Sequence, residues 1–146
     1  MIQPQNAKTM KNLIKIALLL IWQITLLNAQ SEKTLVMSIE LKHSNEIQCI
    51  LPGEVEYEEW DKPYLRMVVE IKSNTSDDIL EQLMLAGRYK AVTYYEFGME
   101  YLTMPKVAKQ VILQGVNVEE KFTFKLLIPK GTRVHSTLPD YIVGRK

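Results

Sequence analysis

The sequence predicts a mainly β domain, α+β in detail, in which an antiparallel, sandwich-like sheet packs against one α-helix near residues 76–86. Three observations carry this prediction. Apolar and polar residues alternate with period two at 55–58 and through most of 65–71, and residues 121–128 read as a further strand. A single stretch, 79–84, has the spacing of an amphipathic helix. Turn-forming residues punctuate the chain between these runs.

The first 29 residues are organised differently from the rest. Lys8, Lys11 and Lys15 precede an almost continuous apolar run at 16–27, and Ala29 then offers a small residue for cleavage. That order is the order of a secretory signal. The apolar run falls well short of the ~20 residues that span a bilayer, and it carries Gln23 and Thr25. Residues 1–29 are therefore expected to be a cleaved signal peptide. Residues 30–146 are expected to form a single exported domain with no membrane span, periplasmic or at the cell surface.

Within that domain, apolar-rich runs at 34–41 and 46–51 lead to the turn signal Pro52-Gly53. The alternating runs 55–58 and 65–71 flank Asp61-Lys62-Pro63, which predicts a hairpin. Thr75 is the expected helix cap, with Asp78 three residues on and Asp77 favourably charged in the first turn. Gly87 is expected to close the helix in the left-handed conformation. Ile79, Leu83 and Met84 should cover a sheet face made of Val55, Tyr57, Met67, Val69 and Ile71. Strands resume over 89–96 and 100–104, with Gly98 as the turn and Pro105 as the stop. They continue over 111–113 and 121–128, and Pro129-Lys130-Gly131 turns the chain into residues 132–134.

Charge narrows the function. The full chain has 18 Lys and Arg against 17 Asp and Glu; without Lys8, Lys11 and Lys15 the balance is 15 to 17, a net of −2. A mildly acidic domain lacks the basic footprint that nucleic acid requires, so no nucleic-acid partner is expected.

Reactive constellations are also missing from the pattern. Cys49 is the sole cysteine, set in an apolar segment, and is expected to be a small core residue or, failing that, a link to another chain. His43 and His135 are the only histidines and fit no catalytic signature or zinc spacing. Glu54, Glu56, Glu58, Glu59 and Asp61 form an acidic run, but the first three alternate with Val55 and Tyr57. They should therefore splay along the wet face of one strand rather than converge on a cation. Asn74-Thr75-Ser76 matches a glycosylation acceptor, yet helix capping accounts for it. No catalytic residue, metal site or cofactor is expected, and the protein is not expected to be an enzyme.

Aromatic residues give the strongest indication of binding. Tyr89, Tyr94, Tyr95, Phe97 and Tyr101 cluster around one expected hairpin. Tyr94 and Tyr95 should point to opposite faces, so the candidate binding surface is Tyr94, Tyr95 and Tyr101. Cross-strand packing alone is the competing explanation.

Two segments carry a family resemblance. Gly53-Glu54-Val55-Glu56-Tyr57-Glu58-Glu59-Trp60-Asp61-Lys62 followed by Leu65-Arg66-Met67-Val68-Val69-Glu70, and later Phe124-Lys125-Leu126-Leu127-Ile128-Pro129-Lys130-Gly131-Thr132-Arg133-Val134, are the two. Together they resemble adhesin-like domains of unknown function found in exported bacterial cell-envelope proteins. Glu59 stands where that pattern has glycine, and the β-solenoid rungs that follow in such proteins are absent from this sequence. The resemblance thus implies the opening module alone, without catalytic residues. The expected function is a non-catalytic, adhesin-like binding or structural module of the cell envelope, with an envelope protein or glycan as partner. The alternatives are a small periplasmic enzyme or enzyme inhibitor that uses the acidic run or His43, and a subunit of an envelope complex.

Overall fold

The computed structural model describes residues 30–42 and 44–139. The expected signal peptide (1–29), His43 and residues 140–146 lie outside the described residues.

Among the described residues, ten strands and one α-helix follow one another: β1 (Ser31–Ile39), β2 (Glu46–Ile50), β3 (Gly53–Trp60), β4 (Leu65–Ser73), α1 (Asp77–Leu85), β5 (Val92–Glu96), β6 (Met99–Thr103), then a 3-10 turn (Pro105–Ala108), β7 (Ile112–Leu113), β8 (Val116–Asn117), β9 (Glu120–Pro129) and β10 (Arg133–Thr137). Two four-stranded sheets have the orders β1-β4-β9-β3 and β10-β2-β6-β5, and β7 and β8 form a separate small hairpin. The fold is mainly β with one helix, as the sequence predicts.

Period-two burial builds the core between the sheets. Leu65, Met67, Val69 and Ile71 of β4 alternate with exposed or half-buried neighbours, and so do Phe122, Phe124, Leu126 and Ile128 of β9. Ile47, Cys49 and Leu102 do the same in the second sheet. All of these residues belong to one hydrophobic cluster with Leu51, Leu80, Tyr89, Met104 and Val107. Burying each large apolar side chain contributes about 1.5–3 kcal/mol, so this shared layer holds the sheets face to face. Cys49 is completely buried there, in keeping with a core role.

Pairing departs from the expected all-antiparallel sheet. β1 pairs with β4, β4 with β9, and β5 with β6 in antiparallel fashion, but β3–β9, β2–β6 and β2–β10 are parallel. The expected hairpin of β3 and β4 does not form, because β9 lies between them. The ten-residue β9 contributes an unbroken inward row of four apolar residues, which places it inside the sheet rather than at an edge. The loop after β3 instead wraps the far end of β9, where Lys130 N donates to Trp60 O at 3.2 Å. Trp60 fixes that loop: its indole Nε1 donates to Tyr64 O at 2.8 Å, its ring meets Tyr64 edge-on at 4.9 Å, and the Arg66 guanidinium lies 5.1 Å over it.

Tyr57, expected in the core, is 60% exposed. It sits on the edge strand β3 with a lateral neighbour, Leu126, on one side only. Val55, two residues earlier, is half-buried against the core. Gly53 begins the same strand at the corner where the chain leaves one sheet for the other. A Cβ at Gly53 would collide with the Phe122 carbonyl oxygen, so the close pairing with β9 demands glycine.

The helix begins one residue later than its expected cap implies. Ser76 occupies the cap position without a side-chain cap hydrogen bond, whereas the Thr75 hydroxyl is buried against Ser73 Oγ at 3.1 Å. Asn74 is drawn away from the helix as well. Its Nδ2 donates to Asn117 O at 3.2 Å and its Oδ1 accepts from Glu119 N at 2.9 Å, tying the helix approach to β8 and β9. The far end is as expected. Gly87 takes φ +71°, with Gly87 N bonded to Met84 O at 2.9 Å and Arg88 N to Leu83 O at 3.0 Å. That reciprocal pair is a Schellman closure. Leu80 is completely buried, and Leu83 and Met84 pack on the core beside it.

Candidate binding surface

The β5–β6 hairpin holds the tyrosines singled out in the sequence. Its two-residue turn is Phe97-Gly98, with φ 49° and 79°. Both values are positive, as a type I′ hairpin turn requires. Tyr94 and Tyr101 are cross-strand partners, and their rings stack 5.0 Å apart and 5° from parallel. Tyr95 points to the other face, opposite the buried Glu100. The structure thus joins two of the three candidate residues and separates the third. Tyr94 is 42% and Tyr95 50% exposed. Tyr89, expected in the same cluster, precedes β5 and turns inward.

Register extends the tyrosine pair into a row across the whole second sheet. His135 pairs with Gln48, Gln48 with Tyr101, and Tyr101 with Tyr94. These residues alternate with buried Ile47, Cys49, Glu100 and Leu102, so they stand on the outward face. A second row, Thr137, Ile50, Thr103 and Val92, lies beside the first. Among the described residues no further layer covers either row. Gln48 Nε2 donates to Thr137 Oγ1 at 3.1 Å, and Glu46 approaches His135 at 3.2 Å and Arg133 at 3.5 Å. The face therefore offers aromatic area beside amide, hydroxyl and imidazole groups. Because Tyr94 and Tyr101 stack on each other, they present ring edges and hydroxyls outward rather than one flat plate.

A second cluster was not legible in the sequence. Arg88 and Glu120 form an ion pair at 2.6 Å with side chains only 8% and 5% exposed. Arg88 Nε also reaches Glu120 Oε1 at 2.9 Å, and its Nη1 donates to the carbonyls of Lys106 and Lys109 at 3.1 and 2.9 Å. The Tyr89 hydroxyl donates to Glu120 Oε1 at 2.5 Å. This network ties the end of α1, the 3-10 turn and the start of β9 together. Pairing of this kind is what allows charge to be buried at all. Beside it opens a recess of about 400 Å³, whose walls include Pro52, Lys109, Gln110, Glu119 and Lys121. The one sequence cue was the Gly87 closure, which forces the next two residues off the helix axis without saying where they go.

Three groups titrate away from their ordinary values. Burial pushes the Cys49 thiol up to about 12. The hydrogen bonds that Arg88 donates to Glu120 raise its value, against the opposing effect of burial. Burial, then the Glu120 hydrogen bond and charge, raises Tyr89. Each shift keeps the group in its resting protonation state near neutrality, whereas acid–base chemistry calls for a group poised near the working pH.

The acidic run does not converge. Glu54, Glu56 and Glu58 are exposed along the outward face of β3, where Glu58 meets Lys125 at 3.3 Å. Among the described residues no three His, Cys, Asp or Glu side chains gather to hold a metal ion. Nor is any helix among them long and apolar enough to cross a membrane.

No protein-family model matches the chain, and no curated protein matches it. Among solved structures, a candidate cell adhesion protein from Clostridium sporogenes is similar over 74% of this chain, at 10% identity and a TM-score of 0.35. The chain spans about half of that protein, 47% of its length.

Proposed function

We propose that the protein is a non-catalytic, adhesin-like binding module of the cell envelope, and that it engages its target through the outward face of the β10-β2-β6-β5 sheet. One observation carries this reading: a four-stranded face, uncovered among the described residues, on which His135, Gln48, Tyr101 and Tyr94 form one continuous row. Tyrosines supply large contact area at small entropic cost, and neighbouring amides and hydroxyls supply direction. Export is supported by the n-region lysines and apolar run of residues 1–29.

The test compares wild type with Tyr101→Ala and Gln48→Ala against immobilised envelope glycans and envelope proteins. Both substitutions are expected to abolish capture of the same target while circular dichroism stays unchanged. Equal capture by all three proteins would remove this face from consideration.

One observation favours a second reading, a small enzyme or inhibitor: the recess beside Arg88 brings Lys109, Glu119 and Lys121 to one concavity. Against it, Arg88 and Glu120 neutralise each other, and their hydrogen bonds are directed into the protein. Turnover that disappears with Lys109→Ala or Lys121→Ala would establish the second reading over the first.

A further inference from the structure

The two sheets have four edge strands: β1, β3, β10 and β5. An edge exposes a row of backbone donors and acceptors, and proteins protect such rows with charge, proline, inward-pointing ionisable groups or a covering element. Three of the four edges are protected. β1 turns Lys33 to its inward side, in line with Leu35 and Met37, and α1 lies alongside it. β3 carries four exposed carboxylates, Glu54, Glu56, Glu58 and Glu59. β10 opens with Arg133, and Pro139 stands two residues past its end. β5, with sequence Val-Thr-Tyr-Tyr-Glu, has no proline, no bulge in its pairing with β6 and one charge, at its last residue.

We infer that β5 is a self-association edge, along which two copies of the chain join antiparallel about a twofold axis at Tyr94. The two four-stranded sheets would then become one continuous sheet across the join. The inference concerns the strand edge and stands independently of the binding role given to the sheet face.

Self-complementarity of the segment selects a second copy as the occupant. With Tyr94 opposite the partner's Tyr94, Val92 meets the partner's Glu96 and Thr93 meets the partner's Tyr95. No like charges oppose each other. One face of the Tyr94 ring already stacks on Tyr101, and the other is turned towards the open edge. The partner's Tyr94 arrives at cross-strand spacing, so the pair becomes a ladder of four rings. Continued two residues past the start of β5, the same register sets Lys90 diagonal to the partner's Glu96, and the twofold axis makes that opposite-charge contact twice. Lys90 and Glu96 are both exposed in the single chain. Continued past both ends of β5, that register brings the turn residue Phe97 level with the partner's Ala91. The turn accounts for the positive φ of Phe97, but its ring is 89% exposed, without a packing role among the described residues of one chain.

The interface is small, so the dimer is weak and concentration-dependent. Sedimentation velocity across a concentration series, on protein purified from cells that express the full chain, measures it. Lys90→Glu and Glu96→Lys each place like charges at both diagonal contacts and are expected to weaken the dimer about tenfold. The double exchange Lys90→Glu/Glu96→Lys restores opposite charges and is expected to return the dimer to near wild-type strength. Tyr94→Lys, which sets two ammonium groups against each other on the axis, is expected to leave only monomer.

Wild type that stays monomeric throughout would overturn the inference, whether or not an extended peptide from another protein occupies β5. A double exchange no stronger than the single ones would overturn it too. Because these positions are exposed, a loss of fold is not expected, and circular dichroism on each variant checks it. Target capture by Gln48→Ala and Tyr101→Ala tests the face separately, so either idea can fail without the other.

Discussion

Tyr89 and Tyr94 lie five positions apart in the chain and serve opposite ends. Tyr89 is 2% exposed and its hydroxyl is committed to Glu120, which is itself committed to Arg88. Tyr94 is 42% exposed and gives its neighbour Tyr101 a ring face rather than a hydrogen bond. The difference lies in the polar atom. A buried hydroxyl left unpaired costs about 1–3 kcal/mol, so Tyr89 is useful only inside a complete network. The exposed pair contributes ring area and keeps its hydroxyls at the surface. Substitutions near Tyr89 should therefore be read out as stability, and those near Tyr94 as recognition.

The sharpest way to break this comparison is Glu120→Ala. It strands the Arg88 guanidinium in a site where only two carbonyls remain to it, and removes the acceptor of Tyr89. Removing one partner of a buried pair costs about 3–5 kcal/mol, measurable by urea denaturation. A cost near zero would show that water replaces the carboxylate, and that the network is not the anchor described here.

High pH probes the same buried region. The Cys49 thiol, ordinarily near 9.0, is pushed up to about 12 in the folded state, and Tyr89 is raised above its ordinary value of 10.0. Above pH 9 the unfolded chain releases the thiol proton while the folded chain keeps it, so stability falls as pH rises. The Cys49 contribution is intact below that point and declines by about 1.4 kcal/mol per pH unit until the folded thiol titrates. Tyr89 adds to the decline above its own unfolded value. Cys49→Ala removes the first component, and its denaturation midpoint should fall less steeply than that of wild type between pH 9 and 11. Parallel slopes in the two proteins would mean the thiol is not held as the geometry implies.

How much of this was legible follows from the range of the interactions. Period-two alternation is local, so the strand and buried face of residues 65–71, and the strand at 121–128, could be read directly. Gly87 as a helix closer is equally local. The interposition of β9 between β3 and β4 was not, because strand order depends on which segment has the strongest apolar row, and that is a comparison across the chain. The Arg88–Glu120 pair spans 32 positions, and nothing around Glu120 distinguishes it from its neighbour Glu119. The tyrosine cluster was visible as composition. The opposition of Tyr94 and Tyr95 followed from strand alternation, whereas the stacking of Tyr94 on Tyr101 and the burial of Tyr89 needed the structure.

On the exposed side of the comparison, effects on folding shrink while effects on binding grow. Tyr101→Ala removes a stacked partner on a half-open sheet, at an expected cost of about 1 kcal/mol. Thermal unfolding should shift by only a few degrees, whereas target capture should be lost. A larger loss of stability, with capture retained by whatever folds, would move Tyr101 to the structural side and leave the face without its central residue.

Phe97 sharpens the comparison most, though its effect on folding is the smallest, because its expected sign is reversed. A bulky residue at positive φ is strained, and asparagine before Gly98 is the preferred occupant of such a turn. Phe97→Asn gives up no packing within the single chain, since the ring is 89% exposed. Measured at a dilution where the protein is monomeric, the variant should be more stable than wild type by about 0.5–1 kcal/mol. Measured by sedimentation at higher concentration, it should associate more weakly, because the ring no longer lies over the partner's Ala91. A gain in one property with a loss in the other is the signature of a residue kept for contact beyond its own fold. If both measurements improve together, Phe97 is a strained turn residue with no task at the edge, and the association there depends on Tyr94 and its charged neighbours alone.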